Sequence, residues 1–523
     1  MRYIVNDSQM KNLESYIINN IGIPSVVLME KAALAVRDKV LDLCSDKDKI
    51  LIVCGVGNNG ADGLAVARLL HDKGVVCAFL VIGNKDKATD EWRLQYNILS
   101  KLSEVEEVTI KAMSEYNIIV DAIFGIGLKR NVEGEFETVI KRINEMSSSG
   151  KARVVAIDVP SGINSSTAKV MNVAVKADYT VTFAYEKTGI RMYPGAMYAG
   201  DKEIADIGIS YDESYHVDRT QIYTHTLEDY DLLPKRLAYS NKGTYGKLMI
   251  IAGGKNMAGA AVFSGLSAYR MGTGLVYVLT REENRNILQK RLPEAVLIAD
   301  DKEDVAVTIR KYADKVDAIV CGPGLGTDEN NDEAVDMIKA VLKIKDKPVI
   351  LDADALNIIA KEKLYNELSN NMILTPHIGE MARLTGSSIK DIKDDMQGYA
   401  MDFARDNNVT LVLKDAVSIV ADKEGLFYLN SSGNSGMSTA GSGDVLTGIM
   451  GALCSMYASL DRHGIIVDGV KDYRRLAVTL AVYIHGLAGD YAKMKMGERP
   501  LISRDICKAV EKIMGEKEWK RLF

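Results

Sequence analysis

Short apolar runs alternate with longer amphipathic stretches along almost the whole chain. In the first part of the chain the apolar runs are 50–54, 75–82, 118–120, 154–157 and 179–183. Continuous apolar runs separated by helix-length stretches, such as 61–71, are typical of parallel strands buried between two layers of helices. The pattern therefore predicts an α/β fold with three layers.

The alternation stops once and then starts again. The stretch 210–224 is polar, and after it the apolar runs resume at 247–252, 275–278, 318–320, 349–351, 372–374 and 410–413. A chain of 523 residues is also too long for one ordinary domain. We therefore predict two α/β domains, residues 1–213 and a larger domain of residues 224–523.

Composition removes several classes of function. The net charge of −6 is spread along the chain, which argues against a nucleic-acid partner. The six cysteines form no CxxC pair and the six histidines no HExxH spacing, so neither a disulfide framework nor a zinc site is predicted. No apolar run of about 20 residues indicates a membrane span, and the first residues lack a signal-peptide core. We expect a cytoplasmic protein, and the Met and Tyr content favours a homo-oligomer.

Polar clusters follow three apolar runs of the first domain. The glycine-rich segment 55–63 follows the run at 50–54, and Asp121 and Asp158 each stand directly after a run, with glycine or proline turns behind them. The carboxyl ends of parallel strands meet in one crevice, where such sheets bind ligands. One aspartate after a strand is usually a helix cap, but three such ends favour a site.

The chemistry available in this crevice is that of oxygen atoms. Asn59, Asp121 and Ser161 are suited to a hard cation, and Asp158 is suited to proton transfer. Neither histidine nor cysteine is present there for nucleophilic catalysis. Proton transfer is therefore the predicted chemistry, with Asp158 as its acid or base.

The first domain resembles the NAD(P)H-hydrate epimerase family over nearly all of residues 1–209. The resemblance is carried by Leu28-Met29-Glu30, by segments 57–63, 121–125, 158–162 and 206–209, and by Lys187. It implies potassium ligands at Asn59, Asp121 and Ser161, and substrate contact by Asp158. It also implies substrate contacts at Asn58, Asn59, Gly60, Ala61, Asp62, Gly125, Ile126, Gly127, Leu128, Lys129, Arg130 and Asn131. Ala61 replaces a family glycine, which would cost about 1 kcal/mol if position 61 required a positive φ.

The second domain contains a glycine-rich turn that runs into an apolar helix at Gly441-Ser442-Gly443-Asp444. Backbone N–H groups at a helix N-terminus favour a phosphate. The helix dipole is expected to hold Asp444 ionised, by ~0.3–1 kcal/mol. Asp444 is therefore predicted to be a base that removes a proton from a hydroxyl group attacking phosphorus. A helix cap is the simpler alternative.

This turn resembles the anion hole of the ribokinase-like superfamily, and further segments resemble its NAD(P)H-hydrate dehydratase branch from Leu227 onward. Those segments are 242–247, 252–254, 270–276, 322–326, 351–356, 375–381 and 413–414. The resemblance implies hydrate contacts at Ala261, Leu325, Gly326, His377 and Asp444. It implies nucleotide contacts at Lys414, Asp415, Ala416, Val417, Ser418 and Gly443. Asp415 replaces a family glycine, so its carboxylate would oppose a phosphate if it pointed inward.

Together the two resemblances imply a bifunctional repair enzyme for NADH or NADPH that has added water. One domain would epimerise the R and S hydrates, with K⁺ bound. The other would dehydrate the S form with ADP and Mg²⁺, giving AMP and phosphate. A vitamin or sugar kinase with an accessory domain remains an alternative, and a non-catalytic dinucleotide sensor is a second. A Rossmann dehydrogenase would need a hydride-transfer site. Gly55, Gly57 and Gly60 have the G-x-G-x-x-G spacing, but alone this is a weak signal, because many strand-to-helix turns are rich in glycine.

Overall fold

The computed structural model describes residues 1–45, 47–102, 104–209, 222–298, 304–327, 332–465 and 472–515. The chain divides into two compact units, Tyr3–Gln221 and Ile222–Phe523, the latter joined by Met1–Arg2. The polar stretch from which we predicted a boundary lies, except for its last three residues, outside the described residues. The limits 1–213 and 224–523 therefore stay a prediction.

The first unit alternates strands and helices. Its strands are β1 (Arg2–Val5), β2 (Ile50–Cys54), β3 (Cys77–Val81), β4 (Glu106–Glu107), β5 (Ile118–Ala122), β6 (Arg153–Ile157), β7 (Tyr179–Phe183), β8 (Glu186–Lys187) and β9 (Asp201–Ala205). Its helices are α1 (Asp7–Tyr16), α2 (Ser25–Leu43), α3 (Asn58–His71), α4 (Asp90–Leu99), α5 (Glu135–Ser148) and α6 (Thr188–Arg191), and a π-helical turn (Ile17–Ile21) follows α1.

Seven of these strands form one parallel sheet in the order β4-β3-β2-β5-β6-β7-β9, counted over the described residues. The strand order reverses at β2, which pairs with β3 on one side and with β5 on the other. Such a reversal opens a crevice at the carboxyl ends of the strands. Every residue of β2 and of β5 is buried, because helices cover both faces. The predicted α/β class is confirmed.

The second unit repeats the alternation. Its strands are β10 (Ile222–Thr224), β11 (Lys247–Ile251), β12 (Leu275–Leu279), β13 (Val296–Ile298), β14 (Ala318–Cys321), β15 (Val349–Leu351), β16 (Met372–Leu374), β17 (Thr410–Leu413), β18 (Ile419–Ala421) and β19 (Phe427–Leu429). Its helices are α7 (Ala258–Met271), α8 (Arg285–Arg291), α9 (Val305–Ala313), α10 (Asp332–Leu342), α11 (Asp354–Lys361), α12 (Ile378–Thr385), α13 (Ile389–Asp394), α14 (Met396–Asp406), α15 (Ser442–Arg462), α16 (Tyr473–Met496) and α17 (Ser503–Gly515).

The sheet of the second unit is only partly parallel. Strands β13-β12-β11-β14-β15-β16-β17 are parallel neighbours, and the order reverses at β11. Strands β18 and β19 then extend the sheet in antiparallel orientation. The apolar runs predicted the parallel strands. The antiparallel extension was not predicted, since no helix-length stretch separates β18 from β19 and the two therefore fall outside the alternating pattern.

Helix α15 packs in the core of the second unit. By length and composition it is the one helix among the described residues that could cross a membrane, yet 83% of its apolar stretch is buried inside the fold. It packs against α7 and α16, and residues such as Val445, Ile449 and Leu453 are fully buried. Its apolar surface is thereby accounted for as protein core.

Candidate active sites

The glycine-rich segment of the first unit is a tight connection between β2 and α3. Helix α3 begins at Asn58, and Ala61 lies inside it rather than at a position of positive φ. The strain considered for Ala61 therefore does not arise. A Cβ on Gly60 would lie 1.8 Å from the carbonyl oxygen of Gly55, so only glycine fits there. The chain turns sharply enough to bring the start of α3 to the crevice.

Asp121 and Ser161 are joined directly at the ends of β5 and β6. The Ser161 hydroxyl donates to Asp121 Oδ1 over 2.6 Å, and the Ser161 N–H donates to Oδ2 over 2.8 Å. Burial raises the pKa of Asp121 to about 6, against the lowering effect of these hydrogen bonds. A buried carboxyl group with so few compensating charges is a place where a cation would be stabilised.

Asn59, the third predicted cation ligand, reaches the same edge. Its Oδ1 lies 3.1 Å from where a Cβ on Gly125 would be, and the N–H of the preceding Phe124 donates to the Ser161 hydroxyl over 2.8 Å. The buried Nδ2 of Asn59 has no hydrogen-bond partner among the described residues. Asn59, Asp121 and Ser161 therefore border one polar space.

Asp158 follows β6 with a φ of 65°, an uncommon conformation for a residue other than glycine. Its Oδ1 accepts from the Lys187 ammonium at 2.5 Å, from the Thr182 hydroxyl at 2.9 Å and from the Phe183 N–H at 3.3 Å. Lys187 is fully buried and Asp158 is 7% exposed. These donors converge on Oδ1, which orients Oδ2 for contact with a ligand.

Two more carboxyl groups interact with this ion pair. Burial raises the pKa of Asp62 well above its usual range, and the charges of Asp158 and Glu14 raise it further. Burial also raises the pKa of Glu14 to about 7, with Asp158 adding to the effect and Lys187 opposing it. Glu14 was not among the predicted site residues. It lies in the amphipathic helix α1, far from Asp158 in the sequence, and no motif there distinguishes it from a surface residue.

The predicted substrate segment 125–131 divides into two groups. Leu128 is buried in the core, and Ile126 is partly buried. Gly127, Lys129, Arg130 and Asn131 are exposed. Lys129 forms an ion pair of 3.1 Å with Asp7 of α1. The exposed residues are therefore the ones placed to meet a ligand.

Asp444 is the third residue of α15, whose N-cap is Gly441 with a φ of 87°. The simpler interpretation of Asp444 as the cap is therefore wrong. Burial raises the pKa of Asp444 to about 6, and the charge of Asp352 adds to this effect. The expectation that the helix dipole holds Asp444 ionised is opposed by these larger effects. Asp444 is half-buried, as is suitable for a base that must meet a ligand.

Lys414, which follows β17, lies over the same helix terminus. Its ammonium is 2.7 Å from Asp352 Oδ1, and the Thr375 hydroxyl donates to that oxygen over 2.7 Å. A Cβ on Gly443 would lie 3.6 Å from both Lys414 Nζ and Asp352 Oδ2. The predicted nucleotide contacts Lys414 and Gly443 are thus brought together. Asp352 was quoted in the sequence pattern, but no role was predicted for it.

His377 is the N-cap of α12. The Gly379 N–H donates to His377 Nδ1 at 2.9 Å. The backbone N–H of His377 donates to the Glu380 side chain at 2.8 Å. A parallel bridge pairs His377 with Lys414. Burial lowers the pKa of His377, and the Lys414 charge lowers it further, so the imidazole is neutral near pH 7. With Nδ1 used in the cap, Nε2 lies 3.4 Å from Glu380 Oε1, in the first turn of the same helix.

The remaining predicted hydrate contacts border the same carboxyl edge. Ala261 is buried on α7, and the hydroxyl of Ser264, one turn later, donates to the Asp444 carbonyl over 3.1 Å. The Gly326 N–H donates to Asp354 over 2.8 Å, while Leu325 is 7% exposed. The helix that carries Ala261 therefore contacts the start of α15, and Gly326 is bound to Asp354, whose charge acts on Asp444.

The loop after Lys414 is mainly at the surface. Asp415 and Ala416 are exposed, whereas Val417 and Ser418 are half-buried. The carboxylate of Asp415 is therefore free to turn to solvent.

His485 lies at the same helix terminus, but the sequence did not single it out. Its Nε2 lies 3.2 Å from the Ser442 hydroxyl, and burial lowers its pKa to about 4.

Comparison with known proteins gives matches in both units. Residues 248–512 match the family model for NAD(P)H-hydrate dehydratase, and residues 25–189 match that for the YjeF-related protein N-terminus. A bifunctional NAD(P)H-hydrate repair enzyme of Moorella thermoacetica is 33% identical, over 96% of this chain and 95% of its own length.

Two further matches cover one unit each. An NAD(P)H-hydrate epimerase of Limosilactobacillus fermentum is 48% identical, over 39% of this chain and 95% of its own length. A crystal structure of an ADP/ATP-dependent NAD(P)H-hydrate dehydratase of Bacillus subtilis, co-crystallised with ATP and Mg²⁺, is 28% identical. It covers 57% of this chain and 97% of its own, with a TM-score of 0.45.

Proposed function

The chain belongs to the family of bifunctional NAD(P)H-hydrate repair enzymes, and on that basis we propose that it restores hydrated NADH and NADPH in two steps. The first unit interconverts the R and S hydrates. The second unit dehydrates the S form with ADP and releases AMP and phosphate. The observation that carries the proposal is that one chain holds a carboxylate–lysine site and an anion hole with its own aspartate, in units that match the two halves of the same relatives.

In the first unit Asp158 is the proposed proton-transfer residue. Lys187, Thr182 and the Phe183 N–H hold Oδ1, which stabilises the carboxylate and fixes its orientation. The other oxygen, Oδ2, is then directed to the substrate. The exposed part of the segment 125–131 and the start of α3 are proposed to bind the rest of the hydrate.

Potassium is proposed to bind at Asn59, Asp121 and Ser161. The fit is supported by the buried carboxyl group of Asp121 and by the Asn59 amide oxygen, which lies beside Gly125 at the same edge of the sheet. A bound K⁺ would supply positive charge that keeps Asp121 ionised and closes the polar space beside Gly125.

In the second unit Asp444 is the proposed base. It removes the proton from the hydroxyl group of the hydrate, and that oxygen attacks the terminal phosphorus of ADP while AMP leaves. Phosphate is a far better leaving group than hydroxide. It departs with the electron pair of the carbon–oxygen bond as the adjacent carbon loses a proton, which regenerates the dihydronicotinamide ring. The backbone N–H groups of segment 441–443 and Lys414 stabilise the transferred phosphoryl group.

Magnesium is proposed to arrive with the nucleotide. In the residues that the structure describes, no group of three His, Cys, Asp or Glu side chains is arranged to hold a metal ion. Mg²⁺ often binds through phosphate oxygens and water with only one or two carboxylates. Asp352, Asp354 and Asp444 are the carboxylates near the phosphate position, and Lys414 already neutralises Asp352.

Relatives that match along nearly the full chain support the repair enzyme over a vitamin or sugar kinase. The difference lies in the product, since a kinase leaves the phosphate on its acceptor. We further propose a cytoplasmic location and a homo-oligomer, with neither nucleic acid nor membrane as a partner.

One experiment tests the function as a whole. Chemically hydrated NADH is mixed with the protein and ADP or ATP, and the return of dihydronicotinamide absorbance is followed. Absorbance that returns with ADP, and is lost in Asp444→Asn, supports the proposal. A stable phosphorylated vitamin or sugar formed instead would favour the kinase.

A further inference from the structure

Helix α1 lies along the predicted substrate segment of the first unit. Asp7 anchors it, since the Ser166 hydroxyl donates to Asp7 at 2.6 Å and the Lys129 ammonium pairs with Asp7 at 3.1 Å. Further along, Lys11 Nζ is 3.8 Å from where a Cβ on Gly127 would be. Asp7, Lys11 and Glu14 are spaced to share one helix face. Glu14 is therefore on the face that α1 turns toward this segment.

Glu14 shares an electrostatic environment with the Asp158–Lys187 ion pair. Its carboxyl group is influenced by Asp158 and Lys187 as well as by Lys11, and Asp62 is influenced by both Glu14 and Asp158. Two of these carboxyl groups, Asp158 and Glu14, thus interact with the buried Lys187 ammonium, and Asp62 interacts with both of them. Like charges in a buried cluster cannot all be ionised, so at least one carboxyl group retains its proton near neutral pH.

The surroundings of Asp158 and Glu14 differ, and this difference indicates which of the two carboxyl groups holds the proton. Three donors converge on Asp158 Oδ1, and one of them is the Lys187 ammonium at 2.5 Å, so Asp158 is the carboxyl group in direct contact with that charge. Glu14 is half-buried, and burial first, then the charge of Asp158, raises its pKa to about 7. The site therefore combines a carboxyl group bound to Lys187 with a second one, Glu14, that exchanges its proton near neutral pH, a pairing that suits acid–base catalysis.

We propose that Glu14 is a second catalytic residue of the epimerase unit and acts as the acid while Asp158 acts as the base. This inference rests on the proposed function. The Glu14 proton passes to the hydroxyl oxygen as the carbon–oxygen bond breaks and water leaves with the bonding pair. The lone pair of the ring nitrogen forms a carbon–nitrogen double bond. Water then adds to the opposite face and gives a proton to Asp158.

The two residues are far apart in the sequence: Glu14 lies in α1, and Asp158 directly follows β6. After one turnover Glu14 is a carboxylate and Asp158 is an acid, which is the form needed for the reverse direction. Glu14 also lies before residue 25, where the match to the family model begins. Its role is therefore inferred from this chain's own geometry and charges.

The test uses full-length protein carrying Asp444→Asn, so that only epimerisation is measured. Chromatography follows conversion of the separated R hydrate of NADH to the S hydrate. Glu14→Gln is expected to lower kcat by about 10²-fold or more while KM changes less than threefold. The parent's rate falls at high pH, when Glu14 loses its proton, and this alkaline limb is expected to disappear in Glu14→Gln.

The matched control is Glu137→Gln, which removes a carboxylate from an exposed ion pair with Lys141 in the same unit. Its rate and pH profile are expected to equal those of the parent.

A Glu14→Gln rate within threefold of the parent overturns the inference, and so does a slow variant that keeps the alkaline limb. If Glu14→Gln does not fold, Glu14→Asp replaces it. That variant must keep activity with its alkaline limb moved, and an unmoved limb overturns the role. A parent that does not interconvert the hydrates refutes the proposed function instead.

Discussion

The Lys187 ammonium lies 2.5 Å from Asp158 Oδ1, with the lysine side chain completely buried. Removal of one partner of a buried ion pair leaves the other charge without compensation, which costs about 3–5 kcal/mol. Lys187→Met is therefore expected to lower the melting temperature of the first unit by roughly 6–20 °C, at about 2–4 °C per kcal/mol.

Two variants accompany that measurement by calorimetry. Lys141→Met breaks an exposed ion pair with Glu137 and is expected to leave the melting temperature almost unchanged, because solvent screens the two charges. The double variant Lys187→Met/Asp158→Asn removes both charges and should recover part of the loss. Equal melting temperatures for Lys187→Met and Lys141→Met would contradict the importance of the buried pair.

The pH dependence of dehydration is expected to follow Asp444. Burial, and then the charge of Asp352, raises the pKa of Asp444 to about 6. Because a base must be deprotonated, kcat/KM for the S hydrate is expected to fall about tenfold per pH unit below pH 6 and to level off above it. A profile that stays flat between pH 5 and pH 7 would exclude Asp444 as the titrating base.

Asp352→Asn is expected to move this acidic limb to lower pH. The substitution removes a negative charge near Asp444 and also leaves the charge of Lys414 uncompensated, and both changes favour ionised Asp444. The same pH profile of kcat/KM measures the shift, with the exposed Asp406→Asn as control. Movement of the limb to higher pH would show that Asp352 influences Asp444 by another route.

Gly60 is expected to tolerate no side chain. A Cβ there would meet the Gly55 carbonyl oxygen at 1.8 Å, so Gly60→Ala must displace the start of α3, at about 1–3 kcal/mol. Gly57→Ala is the control, because nothing lies within 4 Å of its Cβ position and its φ is −97°. Thermal unfolding and the epimerisation rate should both distinguish the two variants. Equal behaviour would mean that the turn rearranges freely.

Apolar runs predicted the strands of both sheets well, because strands buried on both faces are continuous in sequence. The runs 179–183, 349–351, 372–374 and 410–413 coincide with β7, β15, β16 and β17. Strands β18 and β19 were missed because only five residues join them, so they do not fit a pattern of apolar runs separated by helix-length stretches. Asp121, Asp158 and Asp444 were found because each directly follows an apolar run or a glycine-rich turn in the sequence, although Asp121 proves to be the fourth residue of β5.

Other site residues carry no such signal. Asp352 follows β15 just as Asp158 follows β6, so the same rule could have assigned it a role. Glu14 could not be found in this way, since it lies in an amphipathic helix and reaches the site only through packing. The raised pKa of Asp444 was not predicted either. A helix dipole contributes ~0.3–1 kcal/mol, whereas burial beside Asp352 has the larger effect.

Asp158→Asn is expected to separate the two proposed activities. Asparagine keeps the size of the side chain but removes the negative charge, so proton transfer in the first unit should fall by about 10²-fold or more. The second unit should still dehydrate the S hydrate at the parent's rate, because Asp444 and its anion hole are unchanged. Mixed hydrates of NADH with excess ADP should therefore react only until the S form is used, leaving the R form. Chromatography of the remaining hydrate measures this directly, and Asp178→Asn, a substitution at a loop aspartate between β6 and β7, serves as control. Consumption of both hydrates at the parent's rate would exclude Asp158 from epimerisation, and loss of S dehydration would show that the substitution acts beyond the first unit.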